Sequence, residues 1–205
     1  MGYPNLLTFP EAFDNAAWVK GNATVTADAT ADPLGGTGAD KIVATAVNLQ
    51  HNVTQTYVKV AVEMPLVFSV YLKSAEYTTA SFYLFDGASF PILNANLATG
   101  AIISTAANGT VPITASGIID AGGGWYRVWM ANTWPAASAS VGARIFPNTA
   151  NAYLGDGTSG VYAFGARLEQ GGGPGSYRTA TRKKPQVPAG GLLRAIRRMP
   201  LSRTN

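Results

Sequence analysis

Between residues 67 and 73 apolar side chains fall at alternate positions. Phe68, Val70 and Leu72 share one face, opposite Val67, Ser69, Tyr71 and Lys73, the period of a half-buried β-strand. The period recurs along the chain. Over 41–47, Ile42, Ala44 and Ala46 oppose Lys41, Val43, Thr45 and Val47. Over 125–131, Trp125, Arg127 and Trp129 oppose Tyr126, Val128 and Met130. Over 161–169, Tyr162, Phe164, Ala166 and Leu168 oppose Val161, Ala163, Gly165, Arg167 and Glu169. Residues 81–85 form an aromatic-rich strand closed by Asp86-Gly87, and 141–146 a shorter one. Residues 101–105 and 111–114 flank Asn108-Gly109, a hairpin signal, and 32–38 (DPLGGTG) read as a loop. Eight to twelve short strands, with no long amphipathic helix before residue 190 and no internal repeat, predict an all-β fold: an antiparallel jelly-roll β-sandwich.

Charge divides the chain in two. Residues 1–175 carry seven Lys/Arg and all eleven Asp/Glu, net −4, whereas residues 176–205 carry eight Lys/Arg and no acid, net +8. The glycine run 171–175 closes the sandwich, so the expected division is a domain over 1–177 and a basic C-terminal extension over 178–205. In that tail Arg182, Lys183 and Lys184 precede a segment able to make two helical turns, with Leu192, Leu193, Ile196 and Met199 on one side and Arg194, Arg197 and Arg198 around the rest. Two turns are unstable alone and need a partner surface. A groove on another protein, contact with nucleic acid, and a solvated appendage are the three readings. Interleaved aliphatic anchors favour the protein groove and make a nucleic-acid partner the weaker expectation.

Composition removes several chemistries. The chain has no cysteine, so disulfides and thiolate metal sites are out. Its opening lacks the basic and apolar regions of a secretory leader, and no run approaches 18 apolar residues, so no membrane insertion is expected. The single histidine, His51, lies in a polar stretch and reads as an ordinary exposed residue, and there is no Gly-x-Ser-x-Gly elbow. Acids such as Glu63, Glu76, Asp86, Asp120 and Asp156 sit beside glycines or at strand ends, as turn caps rather than a glycosidase pair. Gly155-Asp156-Gly157-Thr158-Ser159-Gly160 matches a dinucleotide fingerprint in form, but a strand follows where a helix is required. The expectation is a protein that is not an enzyme and uses no cofactor. A structural Ca²⁺ on Asp14, Asp40 and Glu169 is the one metal site considered.

Sugar binding calls for exposed rings flanked by polar groups. Tyr71, Trp125, Trp129, Trp134 and Tyr83 are candidates against the usual role of aromatics as core. Arg127 makes its face the less core-like one, so Tyr71, Lys73, Trp125, Arg127 and Trp129 form the expected glycan-binding set.

Four segments carry a family resemblance: Asn5-Leu6-Leu7 with Phe13-Asp14-Asn15, Trp18 and Asp32-Pro33 through Ala39-Asp40-Lys41; residues 68–73; Gly124-Trp125-Tyr126-Arg127-Val128; and residues 161–169 followed by Ser176-Tyr177-Arg178-Thr179. In this order, over residues 5–179, they resemble a domain common in phage structural and tail proteins, a jelly roll similar to carbohydrate-binding modules and concanavalin-like lectins. Arg167 stands where such domains often carry Gln, and the tail lies outside the resemblance. The resemblance implies a tailed-phage virion component (a capsid decoration or a tail or fibre part), made in the host cytoplasm. It would dock on other virion proteins through its tail and display the sandwich, with self-association as a homo-oligomer a further partner expectation. The alternative is a receptor-binding module for host surface glycans.

Overall fold

A computed structural model describes residues 3–177. The strands, in chain order, are β1 (Val19–Gly21), β2 (Ala23–Thr30), β3 (Ala39–Ala44), β4 (Asn48–Leu49), β5 (Asn52–Val58), β6 (Met64–Ser74) and β7 (Thr79–Phe85). They continue as β8 (Phe90–Asn96), β9 (Ala101–Asn108), β10 (Ile113–Gly122), β11 (Trp125–Trp134), β12 (Ser140–Phe146), β13 (Tyr153–Leu154) and β14 (Gly160–Gln170). No helix occurs among the described residues. Two six-stranded antiparallel sheets face each other as a jelly-roll sandwich. Sheet A runs β1-β5-β12-β7-β8-β9, sheet B runs β10-β11-β6-β14-β3-β2, and β13 pairs with β4 beside them.

The alternation read from the sequence assigns the inner faces. Phe68, Val70 and Leu72 of β6 and Val128 and Met130 of β11 meet Phe82 and Leu84 of β7, Leu93 of β8 and Val141 and Ile145 of β12 in one core. Phe68 and Phe82 pack edge to face across the layers, 5.3 Å between centroids. Phe13 and Trp18, 4.8 Å apart, seal the core from the N-terminal segment.

In β14 the simple period fails. Val161 and Ala163 are core residues, and so are Ala166 and Leu168. A bulge between Phe164 and Arg167 sets two residues against Val70, so the core face changes phase at Gly165. Gly165 has φ +61°, and a Cβ there would lie 2.6 Å from Tyr177 Cζ.

Two other readings are corrected. Asn108-Gly109 does not make a hairpin: β9 belongs to sheet A and β10 to sheet B, so this turn carries the chain between layers. A hairpin does fall at Asp86-Gly87, joining β7 to β8; Asp86 Oδ1 accepts the Ala88 and Ser89 N–H groups. His51 is fully buried, not exposed. Its Nδ1 meets the Asn22 carbonyl at 2.5 Å and its Nε2 the Tyr153 carbonyl at 3.0 Å. The Gly155–Gly160 turn does precede a strand, and Asp156 Oδ1 caps the Thr158 and Ser159 N–H groups.

Candidate functional site

The expected glycan-binding set lies on the outer face of sheet B, where Ala31, Gly175 and Tyr177 cover most of it. Tyr71, Trp125 and Arg127 are 8%, 3% and 6% exposed, and Lys73 and Trp129 are half-buried. Tyr71, Trp125 and Phe164 form a second small core capped by Tyr177, whose ring meets Tyr71 edge-on at 5.4 Å. The Tyr177 hydroxyl donates to Glu11 Oε1 at 2.8 Å, and burial pushes its pKa up. Arg127 Nη1 donates to the Gly175 carbonyl at 2.7 Å and Nη2 to Ser69 Oγ at 3.0 Å. Trp125 Nε1 donates to the Ala31 carbonyl, and Lys73 Nζ stands 5.9 Å from the Trp125 ring. Trp129 folds over Gly117, where a Cβ would come within 2.6 Å of its Nε1. These residues bind loops to the sheet and offer no open platform.

Arg167 works beside them. It pairs with Glu169 at 2.9 Å and donates to the Tyr3 and Ser176 carbonyls, so one guanidinium ties both ends of the domain to β14. The calcium donors do not converge. Asp40 accepts the Phe13 and Asp28 N–H groups, Glu169 accepts Gly175 N–H, and Asp14 is exposed. Among the described residues no three carboxylate or imidazole groups gather as metal ligands. The docking residues Arg182, Lys183, Lys184, Leu192, Leu193, Arg194, Ile196, Arg197, Arg198 and Met199 lie outside the described residues.

The open aromatic surface is on sheet A. Because Phe82, Leu84, Leu93 and Ile145 point into the core, their neighbours point out. Register sets those neighbours in rows: Thr54, Arg144, Tyr83 and Ile92 on β5, β12, β7 and β8, and beside them Gly142 opposite Phe85. Arg144 bonds along its row, donating from Nε to Thr54 Oγ1 at 2.9 Å and from Nη1 to the Tyr83 hydroxyl at 2.6 Å. Its guanidinium carbon lies 4.3 Å from the Phe85 centroid and 5.3 Å from that of Tyr83. Tyr83 also meets Phe146 at 5.0 Å and Phe90 at 6.3 Å. The next row is polar: Ser81 Oγ donates to Asn94 Oδ1 at 2.5 Å, and Asn94 Nδ2 donates to Ser104 Oγ at 2.9 Å.

A groove of about 480 Å³ opens over these rings. Tyr83, Phe85, Phe90 and Ile92 line it on the sheet, and Gln50 and Asn151 stand on its rim. Gln50 Nε2 donates to Asn151 Oδ1 at 2.5 Å. Buried His51, next to Gln50, packs its ring at a tilt against Tyr153, 4.6 Å between centroids, and its contact with the Tyr153 carbonyl ties the two rim segments together. Phe90 is 48% exposed. The described lining contains no carboxylate and no imidazole, so it offers neither the acid–base pair of a glycosidase nor a nucleophile–base pair.

Of the sequence candidates only Tyr83 falls in this groove; Trp134 is fully buried in the core. Phe85, Phe90, Ile92, Arg144, Gln50 and Asn151 were missed. A signal existed in part: Phe90, Ile92 and Asn94 alternate, as do Gly142, Arg144 and Phe146. Pro91 and the two asparagines of β8 hid that strand.

No protein-family profile and no curated protein matches the chain. Solved structures similar to it include the enzymatically active domain of tailspike protein 4 from bacteriophage CBA120, at 14% identity and a TM-score of 0.49. That match covers 81% of this chain and 21% of the other, so the chain spans about a fifth of the tailspike domain's length. A xylan-binding domain from Paenibacillus barcinonensis is 11% identical with a TM-score of 0.47, covering 84% of this chain and 98% of that one. A carbohydrate-binding module from Cellvibrio mixtus lichenase 5A, in complex with cellotriose, is 11% identical with a TM-score of 0.41, covering 83% and 99%.

Proposed function

We propose that this chain is a non-enzymatic glycan-recognition module, with its site in the groove on the outer face of sheet A. The observation that carries the reading is the lining itself: the exposed ring of Phe90 and the half-buried rings of Tyr83 and Phe85, with the amides of Gln50 and Asn151 on the rim. The C–H faces of a pyranose stack on rings, and its hydroxyls need donors and acceptors at the edge. The groove volume lies within the roughly 300–1,000 Å³ of small-ligand sites. An aromatic floor built on paired strands is also rigid before the ligand arrives, which lowers the ordering cost of binding.

The test is a glycan array followed by NMR titration of the labelled protein with the best hit. Shifts are expected at Tyr83, Phe85 and Phe90, and Phe90→Ala is expected to weaken binding about tenfold, because Phe90 is half exposed and holds little of the core. Shifts confined to sheet B, or wild-type affinity in Phe90→Ala and Tyr83→Ala alike, would sink the reading.

The wider placement, a tailed-phage virion protein that displays this module and docks through residues 178–205, rests on the resemblance over residues 5–179 and on the tail's charge. A chain ending at Tyr177 keeps the cap on the second core. It is expected to fold but no longer attach to particles lacking the protein. Equal attachment with and without the tail would put the virion contact on the sandwich.

A further inference from the structure

We infer that the groove selects acidic glycans, with Arg144 pairing to a carboxylate on the bound sugar. This rests on the glycan reading above and adds the class of ligand.

Three arginines lie among the described residues, and two have an evident structural task. Arg127 donates to the Gly175 carbonyl, and Arg167 donates to the Tyr3 and Ser176 carbonyls and pairs with Glu169. Both fasten the ends of the domain. Arg144 fastens no loop. Its two hydrogen bonds go to neutral hydroxyl oxygens, Thr54 Oγ1 and Tyr83 Oη, on the strands either side of its own. Among the described residues the ion pairs are Lys41–Glu76 and Arg167–Glu169, so Arg144 has no carboxylate partner there. Its Nη2 donates to no protein acceptor among the described residues and is not one of the buried unpaired atoms.

The guanidinium is therefore held but not neutralised. Its guanidinium carbon lies against the Phe85 and Tyr83 rings, and the bonds from Nε to Thr54 and from Nη1 to Tyr83 fix its direction. A planar fork immobilised in advance is the donor that suits a carboxylate, and little side-chain entropy remains to be lost on pairing. Arg144 stands on the β12 side of Tyr83 and Phe85, while the groove opens on their β8 side. Adjacent strands are about 4.8 Å apart, so a sugar stacked across these two rings brings a ring substituent to the guanidinium. No lining residue is acidic. Asp86, at the end of β7, turns its carboxylate to the Ala88 and Ser89 N–H groups and to Ser138 Oγ.

The experiment uses the full chain and matched ligand pairs, each a uronate-containing oligosaccharide and its carboxyl-reduced neutral counterpart, titrated by calorimetry at low and physiological salt. For a pair that binds, the acidic member is expected to bind at least tenfold more tightly, with the gap narrowing as salt rises. Arg144→Gln is expected to abolish the gap, so that the acidic and neutral members of a pair bind with equal affinity. Arg144→Lys, which keeps the charge but not the fork, is expected to restore part of it. Should Arg144→Gln fail to fold, the wild-type comparison still decides. Equal or tighter binding of the neutral member overturns the inference and leaves the glycan reading standing. Binding of no member of any pair, together with an empty glycan array, overturns both.

Discussion

Gly142→Ala separates the groove from the core with a single methyl group. Gly142 lies opposite Phe85, and a Cβ there would sit 2.2 Å from Phe85 Cε1, whereas ordinary contact begins near 3.4 Å. The ring edge must therefore retreat by about 1.2 Å or swing away. Phe85 ends β7 beside the Asp86-Gly87 turn and is half-buried, so it has room to turn outward. The retreat breaks its stacking on Arg144, at 4.3 Å, and its edge contact with Tyr83, at 5.9 Å. Contacts of these kinds contribute about 0.5–1 and 0.5–1.5 kcal/mol, so the loss is about 1–2.5 kcal/mol. At roughly 2–4 °C per kcal/mol for a chain of this size, melting falls by a few degrees only. Glycan affinity, in contrast, is expected to fall about tenfold, because Phe85 is part of the floor and holds Arg144 in place. Thermal unfolding by circular dichroism and a glycan titration on one sample measure both. A folded Gly142→Ala protein with wild-type affinity would refute the assignment of the groove. A loss above about 4 kcal/mol would place Gly142 in the core, by the scale of core substitutions.

Gly165→Ala is expected to cost about 2 kcal/mol or more, since φ +61° is disfavoured for alanine and its Cβ would meet the Tyr177 ring; urea unfolding reports the loss, and NMR shifts at the Tyr71 and Tyr177 rings report the displaced cap. His51→Ala is expected to cost about 2 kcal/mol through the lost contacts with the Asn22 and Tyr153 carbonyls and the Tyr153 ring, with faster amide exchange over residues 48–54 and 151–154; unchanged exchange there would deny it a role in setting the rim. The hydrogen bond from Lys41 holds the Glu76 carboxyl below its ordinary range. A depressed folded pKa means that Glu76 contributes stability fully above its ordinary value of 4.5 and loses it as pH falls through the lower folded value. Unfolding measured from pH 6 to 2.5 should thus show a slightly smaller acid loss in Glu76→Gln than in the wild type.

Alternation at period two made the sandwich legible in the residues alone, because a side chain's face depends only on local backbone geometry. It named Phe68, Val70, Leu72, Val128 and Met130 as neighbours on inner faces, and the core contains all five. Turn-forming residues likewise marked the Asp32 and Asp156 turns, whose side chains cap backbone N–H groups within a few residues. Only the tertiary structure decided which outer face is open. Trp125, Arg127 and Tyr71 look like a platform when β6 and β11 are read locally. They are covered by residues far along the chain, Ala31, Gly175 and Tyr177, which no local period can bring to them. The β14 phase change likewise follows from a bulge at Gly165 that serves a distant ring. The groove has the same origin. Tyr83, Phe90 and Arg144 come from three strands spread over some sixty residues, and Gln50 and Asn151 from two loops a hundred residues apart, joined by the burial of His51. Local sequence sets the side of a strand to which each residue belongs; which side water reaches is set by long-range packing.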